Sequence, residues 1–101
     1  MTLLTKANRA ALPPLHSTEN EEDPTVQVKF FDPTGSWSWY ATEFDGDDTF
    51  FGWVDGMYPE LGYFSLRELS DHRGRLGLGI ERDLHFSPRP LREVMDRRWI
   101  S

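Results

Sequence analysis

The chain reads as an α+β protein: one antiparallel sheet of three to five strands in meander order, backed by short helices. Three observations predict this. Hydrophobicity alternates with a period of two through the middle of the chain, in "TVQVKFF", "SWSWYATEF" and "TFFGWV". Short clusters of turn-forming residues, "DPTGS", "DGDD" and "DGMYPELG", separate those runs, which suits antiparallel neighbours. Helical period occurs only outside that block. A length of 101 residues leaves room for a single domain, 1-101, around one hydrophobic core.

Taken in order, Thr2 to Ala11 predicts a short helix capped by Thr2. Leu3, Leu4, Ala7 and Ala11 form its apolar stripe, and Pro13 and Pro14 stop it. "STENEEDP" is a polar, acidic connection. In "TVQVKFF" the residues Val26, Val28 and Phe30 share one face, opposite Gln27 and Lys29. An aromatic sheet then spans 26-64. Trp37, Trp39 and Ala41 are expected on one face of its second strand, with Ser38, Tyr40, Thr42 and Phe44 on the other. The third strand places Thr49, Phe51 and Trp53 opposite Phe50, Gly52 and Val54, with Gly52 leaving a gap beside a large neighbour. "DGMYPELG" turns into "YFS". A helix follows over 65-73, with Ser65 as N-cap, Glu68 at capping-box spacing and Gly74 as its stop. "RLGLGIERDLHFSP" carries too many glycines for a helix, and its second half alternates as a C-terminal edge strand. Pro88 and Pro90 introduce a short amphipathic C-terminal helix.

The chemistry is bounded from below by composition. The chain has no cysteine, which excludes a disulfide framework, a thiolate zinc site and a cysteine nucleophile. No run approaches the roughly 20 apolar residues that span a bilayer, and no apolar signal region opens the chain, so a cytoplasmic protein away from the membrane is expected. The net charge is −6, and it is unevenly spread. Residues 19–60 hold eleven acids against Lys29 alone, whereas 61–101 hold eight arginines and six acids.

"GSWSWYATEFDGDDTFFGWVDG" concentrates both the aromatics and the acids. Twelve of fourteen aromatics lie between Phe30 and Phe64, and most are expected to be the packing of the sheet itself. Trp37, Trp39 and Tyr40, beside a glycine turn, are the ones expected at the surface. A single-stranded nucleic-acid platform also uses sheet aromatics but needs a basic surround, and this surround is acidic, so no direct nucleic-acid binding is expected. "DGDDTF" fails the calcium-loop pattern because its glycine comes second and no glutamate closes it, so no metal or other cofactor is assigned there. The acids Glu43, Asp45, Asp47, Asp48, Asp55 and Glu60 therefore read as a docking surface for a protein partner, together with the three exposed aromatics. "ERDLHF" supplies an alternative: on one strand face Glu81, Asp83 and His85 have the spacing of a metal or acid–base site. A solvated edge strand with Leu84 and Phe86 turned inward explains the same pattern. No nucleophile elbow, P-loop or dinucleotide fingerprint is present, and no catalytic residue is assigned.

The pieces Gly35-Ser36-Trp37, Phe51-Gly52, Val54-Asp55-Gly56, Glu60-Leu61-Gly62-Tyr63-Phe64 and Glu81-Arg82-Asp83 carry a resemblance that runs from Leu3 to about Val94. The chain resembles the domain-of-unknown-function family 2958, small bacterial proteins of plasmids, integrative elements and phages. That resemblance implies a mobile-element setting and no activity. In such a setting the central acids suggest a non-enzymatic accessory protein that mimics nucleic acid and inhibits a CRISPR or restriction defence complex. Three alternatives stand beside it: a plasmid-maintenance or conjugation module docking through exposed aromatics, a small enzyme built on Glu81, Asp83 and His85, and DNA binding through Arg89, Arg92, Arg97 and Arg98. The net negative field opposes the last.

Overall fold

The computed structural model describes residues 2–100, and the side chains of all of these except Arg75 and 97–100. Its elements, in order, are α1 (Lys6–Ala11), β1 (Thr25–Val26), β2 (Val28–Phe31), β3 (Ser38–Phe44), β4 (Thr49–Asp55), β5 (Glu60–Ser65), α2 (Leu66–Asp71), β6 (Glu81–Arg82), β7 (Arg89–Pro90) and α3 (Leu91–Ile100). Strands β2 to β5 form the expected antiparallel meander. β6 adds to its far edge, giving the order β5-β4-β3-β2-β6, while β1 and β7 pair as a separate two-stranded ribbon.

Both faces of the sheet are packed, which accounts for aromatics on both. On the first face Val28, Phe30, Ala41, Phe44 and Phe50 meet Leu3, Leu4, Leu12, Leu69 and Ile80, with Trp39 and Phe64 alongside. The rings of Phe44, Phe50 and Phe64 stack in a row, at centroid distances of 4.5 and 5.1 Å. On the second face Val26, Leu91 and Val94 pack with Tyr40, Trp53, Phe86 and Met95. Val26 thus leaves the side shared by Val28 and Phe30. The chain breaks step at Gln27, whose N–H donates to the Ala41 carbonyl, and β1 turns to pair with β7.

A bulge in β3 changes which residues face the core. Ala41 pairs with Gly52 and Glu43 with Phe51, so Thr42 is the extra residue. Phe44 therefore joins Trp39 and Ala41 on the first face, not Tyr40 and Thr42 as alternation predicts. Thr42 and Glu43 both turn toward the second face. Gly52 leaves no gap: a Cβ there would stand 1.8 Å from the Tyr40 carbonyl oxygen, so β3 and β4 approach closely beside the bulge.

The helices are shorter than their sequence patterns. α1 starts at Lys6 because Thr5, not Thr2, is its N-cap, in a reciprocal capping box with Asn8. Ala7 and Ala11 are exposed, and the flanking Leu3, Leu4 and Leu12 supply the buried contacts. Ser65 caps α2 by accepting the Glu68 N–H and its hydroxyl donates to Asp48, and the helix start is not the reciprocal capping box that the spacing predicts. β6 ends at Arg82. Asp83 accepts the His85 N–H on its carboxylate and the Phe86 N–H on its carbonyl, which turns the chain before an edge strand can extend. No helix among the described residues is long and apolar enough to cross a membrane.

Candidate functional site

The acids of the central block fall into two kinds. Several hold backbone in place. The Asp45 carboxylate accepts the N–H groups of Asp47, Asp48 and Thr49 and so closes the β3–β4 hairpin. Those bonds, led by the Asp47 N–H, hold its pKa below the usual carboxylate range. Asp48 sits on the first turn of α2, accepting the Arg67 N–H at 2.8 Å and the Ser65 hydroxyl, and the Arg67 N–H is the main reason its pKa is also lowered. Asp23 holds the first turn of α3 by accepting the Arg92 N–H. Asp32 accepts the Thr34 N–H within its turn, which lowers its pKa, and faces His72 at 3.7 Å.

Glu43 is the most deeply placed of these acids, at 3% exposure. Its carboxylate accepts the His16 N–H at 2.8 Å, the Thr18 N–H at 3.0 Å and the Thr18 hydroxyl. Burial works to raise its pKa. The Thr18 hydroxyl and the two N–H groups outweigh that and leave it lowered, so the group stays ionised. Glu43 is thus an internal anchor for the segment that leads from α1 to β1, its carboxylate taken up by that segment. His16, with φ 70°, takes the left-handed conformation that turns this segment over the carboxylate.

The remaining predicted site residues do not form one patch. Asp45, Asp47 and Asp48 lie at one end of β4, whereas Asp55 and Glu60 flank its other end, roughly 20 Å away along the strand. Asp47 is exposed and pairs with Arg67 at 3.2 Å. Asp55 stands opposite Ser38, and Glu60 opens β5 opposite Val54. Trp37 is 43% exposed and packs against Trp39 and over Gly56, where a Cβ would collide with its ring. Trp39 is half-buried on the first face. Tyr40 is half-buried on the second, between Phe86 and the Lys29 ammonium. Glu81, Asp83 and His85 are not gathered: Glu81 pairs opposite Phe31 in β6, Asp83 forms an ion pair with Lys29 at 3.6 Å, and His85 is exposed beyond the turn. No group of three His, Asp or Glu residues among those described is arranged to hold a metal ion. Arg89 stacks on Phe86 and faces Glu93 at 3.8 Å, and Arg92 is exposed, while the side chains of Arg97 and Arg98 lie outside the described residues.

What the fold does assemble is an open cleft of about 270 Å³ on the second face, between the edge of the sheet and the 16–24 segment. Phe51, Leu61 and Tyr63 make an apolar floor, with the Phe51 and Tyr63 rings edge to face at 5.0 Å. Glu19, Glu21 and Glu22 form a rim, and no lysine or arginine lines the cleft. Glu19 faces His16 at 3.5 Å, whereas the Glu21 and Glu22 carboxylates are exposed and have no partner among the described residues. In the sequence "STENEEDP" reads as a connection only. The signal was its density of glutamates, but their position over β5 depends on Glu43, which is distant in sequence.

Residues 3–96 match the family model of DUF2958, a protein family of unknown function, and the chain belongs to that family. No curated protein and no solved structure matches it.

Proposed function

We propose that this member of the family is a non-enzymatic binding protein whose partner is a basic, nucleic-acid-handling protein, and that it works by occupying a surface built for phosphates. The observation that carries this reading is the cleft rimmed by Glu19, Glu21 and Glu22 over Phe51, Leu61 and Tyr63, with no lysine or arginine in its lining. Carboxylates held above an apolar floor attract a cationic surface and reward the burial of its aliphatic stems. The hairpin acids contribute to the long-range field, but their carboxylates are largely taken up by backbone N–H groups, so the working surface moves from the β3–β4 turn to this cleft. In a cell that carries plasmids or phages, a CRISPR effector or a restriction enzyme is the partner class with such a groove, and the outcome of binding is inhibition.

Affinity capture from host lysate at low and at high salt, with mass spectrometry of the eluate, tests the proposal. A nucleic-acid-binding protein retained at low salt and lost at high salt is expected, since steering between exposed charges is screened within a Debye length of about 8 Å at physiological ionic strength. A partner that resists salt overturns it in favour of docking through apolar surface, for which exposed Trp37, Met57 and Tyr58 are the residues at hand. The proposal predicts that Glu21→Gln with Glu22→Gln weakens capture more than Asp47→Asn does.

A further inference from the structure

We infer that β5 is a strand-addition site: an extended segment of the partner, alternating basic and apolar residues, pairs with its free edge and places its basic side chains over the glutamate-rimmed cleft. The inference rests on the acidic-surface reading above and gives it a location and a binding mode.

The two edges of the sheet differ. β6 has two residues and is ended by the Asp83 turn, as short, blunted edges usually are. β5 has six, pairs with β4 without a bulge from Ser65 to Glu60, and contains no proline and no lysine. Among the described residues no strand lies outside it. Its hydrogen-bonding phase follows from one contact. The Leu66 N–H donates to the Asp48 carbonyl, one step beyond the Thr49–Ser65 pair, so that pair is of the non-hydrogen-bonded kind. Alternation then makes Glu60, Gly62 and Phe64 the residues that bond to β4. The N–H and C=O groups of Leu61 and Tyr63 point outward, ready for another strand.

Side chains specify what that strand carries. Residues directly opposite Leu61 and Tyr63 share their face of the sheet, where both side chains are exposed (47% and 57%) and line the cleft. A lysine or arginine there lays its stem along Leu61 and the Tyr63 ring and brings its charge to Glu19, Glu21 and Glu22. The residue opposite Gly62 lies on the other face. A Cβ at Gly62 would meet nothing within 4 Å, so space is open for a large apolar side chain beside it. A second copy of this chain is the poorer occupant: pairing two β5 edges brings two glutamate rims together on molecules of charge −6. Main-chain pairing supplies affinity in this mode, and the alternate side-chain pockets supply selectivity.

The test uses the isotope-labelled full chain and a short capped peptide alternating valine and arginine. Two controls accompany it, one peptide with glutamate for arginine and one N-methylated on alternate residues so that it cannot pair. We expect amide shifts at Leu61, Tyr63 and Glu19–Glu22, at least tenfold slower amide exchange at Leu61 and Tyr63, and at least tenfold weaker binding of each control. Tyr63→Pro removes an outward N–H together with the ring of the cleft floor and leaves the β4 ladder, so it should abolish binding while the remaining amide spectrum is retained, whereas Tyr63→Ala, which removes the ring alone, should weaken binding and keep the discrimination against N-methylation. Glu21→Gln with Glu22→Gln, which leaves the backbone edge alone, should weaken the arginine peptide and spare its discrimination against N-methylation. Arginine-peptide binding with shifts elsewhere, or unaffected by N-methylation, overturns strand addition and leaves the acidic-surface reading standing. Absence of binding by the arginine peptide, while salt-sensitive capture of a basic protein persists, also overturns strand addition alone. Concentration-dependent dimerisation through β5 without peptide binding overturns it in favour of a second copy. Loss of salt-sensitive capture itself overturns the parent reading.

Discussion

Replacing Glu43 with alanine should unhook the 14–22 segment from the sheet, and the size of the effect can be worked from its partners. Thr18 is 8% exposed, so its N–H and hydroxyl lose an ionised acceptor in a place that water reaches poorly. Each such orphaned donor costs about 1–3 kcal/mol. The His16 N–H belongs to an exposed residue and recovers its bond from water. Relief of the desolvation carried by the carboxylate offsets part of the sum, which leaves a net loss of about 3 kcal/mol. For a domain of this size that is a fall in Tm of about 12–24 °C, a large share of the roughly 5–15 kcal/mol that holds such domains folded. Thermal melts followed by circular dichroism measure it, and hydrogen exchange at the Thr18 amide reports whether the loss is local. Glu43→Gln adds a test of charge. The native pKa of this carboxyl is lowered, so its contribution is complete above the unfolded value near 4.3 and disappears as pH falls through the lower folded value. The glutamine variant should lack that part of the acid dependence. A Tm change under about 4 °C for Glu43→Ala, with unchanged exchange at Thr18, would refute the anchoring argument.

Gly52 and Gly62 face each other in the β4–β5 ladder and should respond oppositely to alanine. At Gly52 the new methyl meets the Tyr40 backbone, and urea denaturation should register a loss of about 3 kcal/mol or more. At Gly62 it meets nothing, and the change should stay within about 0.5 kcal/mol. Asp48→Asn should lower Tm more than Asp47→Asn, because Asp48 holds the first turn of α2 whereas Asp47 has only an exposed ion pair. Equal effects in differential scanning calorimetry would contradict that assignment. Asp32, Asp45 and Asp48 all have lowered native pKa values, so the stability they contribute is present above the ordinary aspartate value near 3.9 and is lost as pH falls through the folded values. The acid limb of a Tm-against-pH curve should accordingly be shallower in Asp45→Asn than in the native chain.

Much of the architecture was legible because its signals are local. The alternation in "TVQVKFF" and "TFFGWV", the Asp-Pro and Asp-Gly turns and the Ser65 cap each act within a few residues, and each corresponds to a strand, turn or helix start. The site was far less legible. A pattern of carboxylates along a chain does not distinguish one that caps a distant helix from one that faces solvent. Asp48 and Asp47 are adjacent, yet the first is engaged by residues 17 to 19 positions away and the second is exposed.

The sequence by itself determined the meander, its aromatic content and the excess of acid in its middle, since period, turn chemistry and charge need no partner to be expressed. Tertiary structure decided which face each residue of β3 after Ala41 occupies. The extra residue at Thr42 lies beside the close approach of Gly52 to the Tyr40 carbonyl, and that single insertion sends Phe44 into the core and Glu43 under the 14–22 segment. The cleft beside β5 follows from it, because a strand's side-chain parity is local only until a neighbouring strand changes its register.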